Sequence, residues 1–310
     1  MTATGIDAMG ALFPIAFGVV DAKNEDNWVW SVQNVRDCMA SVNAITFVSD
    51  KQKGLLPAVE LVFLGCEHAY CMRHLDANLK KKCNNGEFIQ LFWVAAYGST
   101  PIDYDNAILG MKAIIPFATD YLLSMSPPSH WATTHFKGKR YGHLISNIAE
   151  SLNSWLLEAK DKPIISMLDI IRRQLTTWFY ACGREGKKVC ESLGDMAQFA
   201  LVANVEKNLE KNLREVGNHA RQYRILPSSA MIFEILTSKR TCVVDVCTRS
   251  CSCNKWQTFE IPRAHAVAAM LLKKEGVQSY VHKTYTVQAY YDNYSGVISP
   301  IVDASEDASD

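Results

Sequence analysis

The sequence predicts a mixed α/β protein that closes with a small ββα unit bearing cysteine and histidine. Three observations carry that expectation. Between residues 11 and 65, short apolar runs alternate with helical patterning, as in a layered α/β core. Residues 72–124 have helical texture and few strand signals. Residues 251–266 read CSCNKWQTFEIPRAHA, with Cys251, Cys253 and His265 close together in the chain.

In chain order, ALFPIAFGVV (11–20) is a near-continuous apolar run bounded by Asp21, the pattern of a buried strand. Trp28, Val32, Val35 and Met39 recur at helical spacing, so a helix is expected over 27–39. AITFVS (44–49) reads as a second buried strand ending at Asp50. KQKGLLPAVE opens a short helix, and LVFLG (61–65) reads as a third strand. Several helices follow over 72–124, with Trp93 and aliphatics on their inner faces, until Pro127-Pro128 break the pattern. Further helices are expected over 147–159 and over 164–179, the latter between Pro163 and Gly183. Residues 197–218 form an amphipathic helix or linker. CVVDVCT (242–248) is rich in β-branched residues and reads as a strand. AHAVAAMLLKKEG reads as a helix stopped by Gly276.

Composition narrows the class. A chain of 310 residues has room for two domains, and its 48% hydrophobic and 21% charged residues are those of a soluble globular protein. No apolar run reaches the roughly 18 residues of a membrane span, and no secretory signal is visible at the N-terminus. The ten cysteines are scattered through a long chain, which favours reduced thiols and an intracellular location. A formal net charge of zero excludes a global pull toward nucleic acid. The basic clusters at 80–82, 137–140, 172–173 and 273–274 read individually as solvated faces. The acidic tail VDASEDASD (302–310) has the composition of a disordered segment.

Two groups of residues carry chemistry. Cys251, Cys253 and His265 are the soft sulfur and nitrogen ligands that structural zinc prefers, where four are expected. A second pair would need its thiolate two positions before His265, and there stands Arg263, which cannot ligate and whose charge opposes a cation. Either Cys247 or a water completes the set, or the three residues only pack and hydrogen-bond with Arg263 turned to solvent. The second group is Asp50, at the carboxyl end of a strand, with Glu150, in the first turn of a helix. Brought together, such carboxylates hold divalent metal for phosphoryl transfer. With 32 acidic residues in the chain, and with helix first turns favouring carboxylates anyway, the spacing alone is weak evidence.

The surrounding words add to this. FPIAFGVVDAKNEDNWVWSVQNV, FVSDKQKGLLPAV, EHAYCMRHLDANLKKK, HFKGKRYGHLISNIAESLNSW and TYTVQAYYDNYSGVISPI, in that order, resemble the transposases of Mutator-like elements (MULEs). The Cys-x-Cys run, with Trp256-Gln257 and Ile261-Pro262, resembles the SWIM zinc finger. The resemblance implies an RNase H-like core, lacking its first strand and interrupted by a helical insertion, followed by the ββα SWIM segment. It implies an Asp, Asp, Glu triad that uses two magnesium ions to cut and join DNA. Asp50 matches the second acid and Glu150 the third, Cys71 and His74 match the family's Cys-x-x-His as an accessory pair, and zinc belongs on Cys251, Cys253 and His265. No residue matches the first acid: Asp7 falls in a turn and Asp21 after the next strand, and the chain begins inside the hairpin that follows the missing strand, as a truncated copy would. The implied layout is a partial core over 1–160 with its insertion at about 72–130, a helical connector over 161–223 and the finger over 224–285. DNA is the implied partner and the nucleus the implied location, and an exposed sheet edge makes a homo-oligomer the expected state. Two functions follow: a catalytically incomplete transposon-derived protein with residual zinc and DNA binding, or a domesticated transcriptional regulator or interaction module on the same scaffold.

Overall fold

The chain opens with a hairpin, β1 (Thr2–Ile6) against β2 (Leu12–Phe17). The turn is closed by Asp7, whose carboxylate accepts from Ala11 N at 2.8 Å, while Gly10 N donates to Asp7 O. The computed structural model describes residues 1–39, 45–218, 223–238 and 240–299, so the expected disordered tail lies outside the described residues. The chain divides into two units. One comprises 1–3, 15–149 and 207–281, the other 4–14, 150–206 and 282–310.

The first unit contains a βαβ element. Helix α1 (Glu25–Cys38) starts where the Asn24 side chain accepts from Asn27 N, and it buries Val32 and Val35. Strand β3 (Thr46–Ser49) runs parallel to β4 (Glu67–Tyr70), with Phe47 opposite His68. Parallel pairing requires a crossover, which α2 (Leu55–Val62) supplies. Leu55, Ala58, Val59 and Val62 of α2 share a core with Val32, Val35 and Phe63. The expected strand LVFLG is therefore not one. Leu61 and Val62 finish α2, Gly65 turns at φ +80°, and the polar-looking EHAY makes the strand instead. His68 is buried there with its Nε2 at 2.7 Å from Ser49 Oγ, which satisfies one of its two ring nitrogens.

Four helices follow, as expected: α3 (Met72–Lys82), α4 (Gly86–Tyr97), α5 (Pro101–Ile114) and α6 (Pro116–Met125). Asn85 caps α4, and Thr100 with Pro101 starts α5. Phe88, Phe92, Met111 and Trp131 fill their common core without exposure. Arg140 is buried beneath them, donating to Trp131 O at 3.1 Å and to Thr133 Oγ1 at 3.2 Å.

The second unit is helical. It holds α7 (Asn147–Trp155) from Glu150 onward, α8 (Leu157–Lys160) and α9 (Ile164–Leu193). Helix α10 (Ala203–Asn218) begins in this unit and passes at residue 207 into the first. Helix α9 does not stop at Gly183. A Cβ there would lie 2.7 Å from Tyr294 O, so glycine serves the close approach of a later helix rather than a helix end. Phe13, Phe179 and Tyr294 form a ring cluster with centroids 5.3–5.4 Å apart.

The cysteine-bearing segment of the first unit has more sheet than the expected two strands. It is a four-stranded antiparallel sheet, β5 (Arg224–Pro227), β6 (Ile232–Leu236), β7 (Thr241–Asp245) and β8 (Ser250–Cys251), followed by α11 (Lys255–Phe259) and α12 (Ala264–Lys273). Gly276 does not end α12. Lys274 takes the left-handed cap at φ +58°, with Glu275 N bonded back to Met270 O. In the second unit, α13 (Val287–Tyr294) is the helix that Gly183 admits. The whole is a mixed α/β chain with small sheets. Among the described residues, no helix is long and apolar enough to cross a membrane.

Candidate metal centre

The β7–β8 hairpin sets the geometry of the cysteines. Asp245 Oδ1 accepts from Cys247 N and Thr248 N, and Arg249 turns at φ +53°. Those bonds, Thr248's first, hold the Asp245 carboxyl below its usual range. The register pairs Val244 with Cys251, and Ser252 N continues it by donating to Val243 O at 2.8 Å. Side chains alternate across a strand, so Cys242, Val244, Cys251 and Cys253 fall on one face. All four are buried.

The chain then turns through Asn254 (φ +59°) into α11. Gln257 reaches back, accepting from Cys251 N at 3.1 Å and donating to Cys251 O at 3.0 Å. This double bond to one residue's backbone fixes the first cysteine, and it explains the amide of the Trp256-Gln257 pair. Trp256, 2% exposed, packs below. Glu260 adopts φ +56° and Arg263 the extended N-cap, so His265 stands on the first turn of α12.

His265 Nδ1 is 3.4 Å from Cys253 Sγ and 3.8 Å from Cys251 Sγ, and the two sulfurs are 3.2 Å apart. Thus the structure brings together the three sequence-predicted ligands. It adds a fourth side chain: the ligand atoms of Cys242, Cys251 and His265 all lie within 4.8 Å of one another. A tetrahedral zinc with bonds near ~2.3 Å to sulfur and ~2.0 Å to nitrogen spaces its ligand atoms by roughly 3.5–3.8 Å. The cluster of Cys242, Cys251 and His265 is compatible with zinc in the kind of its donors, and Cys253 adjoins it through Cys251 and His265. Hydrogen bonding from Cys251, then from His265, pulls the Cys253 thiol down toward the thiolate, while Cys251, as the donor in that pair, is pushed up. Cys247, which the sequence offers beside a water as a fourth ligand, is exposed in the turn.

Arg263 is not simply solvated. Its guanidinium lies 4.2 Å from the Phe259 ring centroid and donates to Asn208 Oδ1 at 3.4 Å. Phe259 in turn needs Gly142, where φ is +84° and a Cβ would meet the ring at 2.2 Å. A cleft of about 740 Å³ opens beside His265, lined among others by Lys211, Arg240, Lys255, Arg263 and Glu215. Arg240 is paired with Asp103, and Lys211, Lys255 and Arg263 against Glu215 still favour an anionic occupant.

The carboxylates lie elsewhere. Asp50 follows β3 directly, its carbonyl accepting from Ser49 Oγ, and it belongs to the first unit. Glu150 stands in the first turn of α7 and belongs to the second. Cys71 is buried at the N-terminus of α3, where its sulfur accepts from Ser146 N at 3.3 Å, and His74 Nδ1 is buried three residues on. Asp7 is committed to structure: it is buried, bonded by Ala11 N and by Tyr294 OH at 2.9 Å.

Comparison with known families shows one similarity, in the first part of the chain. Residues 1–78 match the MULE transposase domain. The match covers the hairpin, the βαβ element with Asp50, and Cys71 with His74. It ends inside α3, so the Cys/His centre lies beyond the matched MULE segment. No curated protein matches the chain, and no solved structure does.

Cys242 is the member of the cluster that sequence reasoning missed. Its signal was present in the register: with Val244 paired to Cys251 across the hairpin, Cys242 falls on the same face of β7 as Val244.

Proposed function

We propose that this is a transposase-derived protein of the MULE type whose C-terminal unit binds zinc, and whose 310 residues do not by themselves catalyse DNA strand transfer. The observation that carries the reading is the convergence of buried Cys242, Cys251 and Cys253 with His265, joined to a chain that opens with a MULE transposase domain. When bound, zinc supplies cross-linking rather than chemistry: it ties the β7–β8 hairpin to α12 through side chains that otherwise share only weak sulfur contacts. The segment is a SWIM-type finger in which the thiolate expected at 263 is lost.

For the core, the proposal is an RNase H-like arrangement in which Asp50 and Glu150 are the second and third acids and magnesium is the intended metal. Asp7 is engaged with Tyr294 and Ala11, and so does not serve as the first acid. Two-metal catalysis needs a carboxylate to bridge both ions, and two acids alone leave it incomplete. The cationic cleft beside His265 supports residual binding to DNA, with the nucleus as the place of action.

Two measurements on the full chain test this. Elemental analysis is expected to return one zinc per chain, and a zinc-free protein after refolding with excess metal would sink the metal reading. Nicking of supercoiled plasmid in magnesium is expected to stay at the background of the Asp50→Asn and Glu150→Gln variants. Cleavage that exceeds both would overturn catalytic incompleteness.

A further inference from the structure

We infer that Cys242 is the fourth metal ligand, a thiolate supplied by the neighbouring strand in place of the one absent at position 263. This rests on the zinc reading above and goes beyond it by specifying the ligand set and the fate of the altered position.

Three facts argue for it. First, Cys242 is 1% exposed, and its sulfur shares a volume within 4.8 Å of the Cys251 and His265 ligand atoms. Second, β7 is tied to the other ligands on both sides: Val244 pairs with Cys251, and Ser252 bonds Val243 through both its amide and its hydroxyl. The ladder itself therefore aims Cys242 at the centre, with no loop rearrangement required. Third, Cys247 is exposed and bonded into the turn by Asp245, which removes the nearest alternative thiol in sequence.

Position 263 has meanwhile taken other work. A thiol there would have sat at the N-cap of α12. The arginine instead lies across Phe259 and reaches Asn208 on α10, so its charge is directed away from the sulfur face and into the cationic cleft. The chemistry of the set is unchanged by the exchange, since three thiolates and one imidazole remain. Three thiolates around a divalent ion leave one net negative charge, as in the set with its thiolate at position 263. On binding, each cysteine that is protonated releases its proton to solvent as its sulfur bonds the metal.

The test uses the full chain with zinc, and with cobalt(II) as a spectroscopic probe whose sulfur-to-metal charge-transfer intensity reports the number of thiolates. Chelator competition gives the affinity. Because four ligands share the binding free energy of a structural site, losing one is expected to weaken binding about a hundredfold. Cys242→Ser should show that loss and a drop in cobalt intensity from the three-thiolate to the two-thiolate level. Cys247→Ser should change neither. The decisive variant is Cys242→Ser combined with Arg263→Cys, which moves the thiol back to the helix N-cap and should recover both affinity and intensity. Wild-type affinity in Cys242→Ser, loss in Cys247→Ser, or failure of the double variant to recover would each overturn the assignment. A wild-type chain that takes no zinc at all would instead remove the reading on which it rests.

Discussion

Replacing Tyr294 by Phe isolates one buried hydrogen bond, and with it the claim that Asp7 is structural. The hydroxyl donates to Asp7 Oδ2 at 2.9 Å with both residues buried, and the ring packs on Phe13 and Phe179 at 5.3 and 5.4 Å. Phe keeps the rings and deletes the donor. A hydrogen bond to a charged group contributes about 1.5–3 kcal/mol, and the Asp7 carboxylate left behind keeps Ala11 N as a donor, so a loss of about 2 kcal/mol is expected. Burial, then the Asp7 charge, pushes the Tyr294 hydroxyl well above its ordinary value of 10.0. The unfolded chain would therefore ionise first, and this contribution is present below pH 10 and fades as the pH rises above it. The variant should lack that alkaline loss. With two units in the chain a single global transition is a poor readout, so hydrogen exchange of α9 and α13 amides is the assay. Protection within about 0.5 kcal/mol of wild type, or an equal cost in an Asp7→Asn background, would refute the reasoning.

The other predictions concern packing and protonation. Gly183→Ala should destabilise the second unit: helix propensity favours alanine by about 1 kcal/mol, but overpacking against a backbone oxygen at 2.7 Å costs roughly 1–3 kcal/mol. Gly86→Ala, with nothing within 4 Å of its new methyl, should show no such loss when amide exchange of α4 is compared with that of α9 in Gly183→Ala. Burial, then the nearby His130, lowers the His68 pKa from 6.5 to about 4, so its contribution to stability is present above pH 6.5 and lost as the pH falls toward 4. An NMR titration placing His68 near 6.5 would contradict this, and His68→Gln should flatten that part of the acid profile. Arg140→Lys should cost about 2 kcal/mol, since an ammonium reproduces neither the fork to Trp131 O and Thr133 nor the stacking at 4.5 Å on Phe136. Equal denaturant midpoints for the two proteins would refute it.

Where local pattern and tertiary role agree, the reading from residues held. Trp28, Val32 and Val35 lie on α1, and Ile164 opens α9 immediately after Pro163. Where one residue type serves two purposes, it failed. Gly183 looks like a helix end because glycine costs a helix stability, yet here it admits α13. LVFLG has better strand chemistry than EHAY, but the crossover between parallel strands needs those residues for α2, and Ser49 satisfies one ring nitrogen of the buried His68. At the metal centre, Cys251, Cys253 and His265 were legible because 15 consecutive residues hold them.

The sequence by itself determined the alternation of elements, the resemblance to MULE transposases and three of the side chains at the candidate metal centre. Short-range spacing encodes all of these. Only the tertiary structure shows that Cys242, and not the exposed Cys247, lies beside Cys251 and His265, and that Arg263 is spent on Phe259 and Asn208. The physical reason is register. Both cysteines occur in one β-branched run, and which of them lies beside Cys251 depends on where the hairpin turns, which the Asp245 carboxylate sets by capturing Cys247 N and Thr248 N.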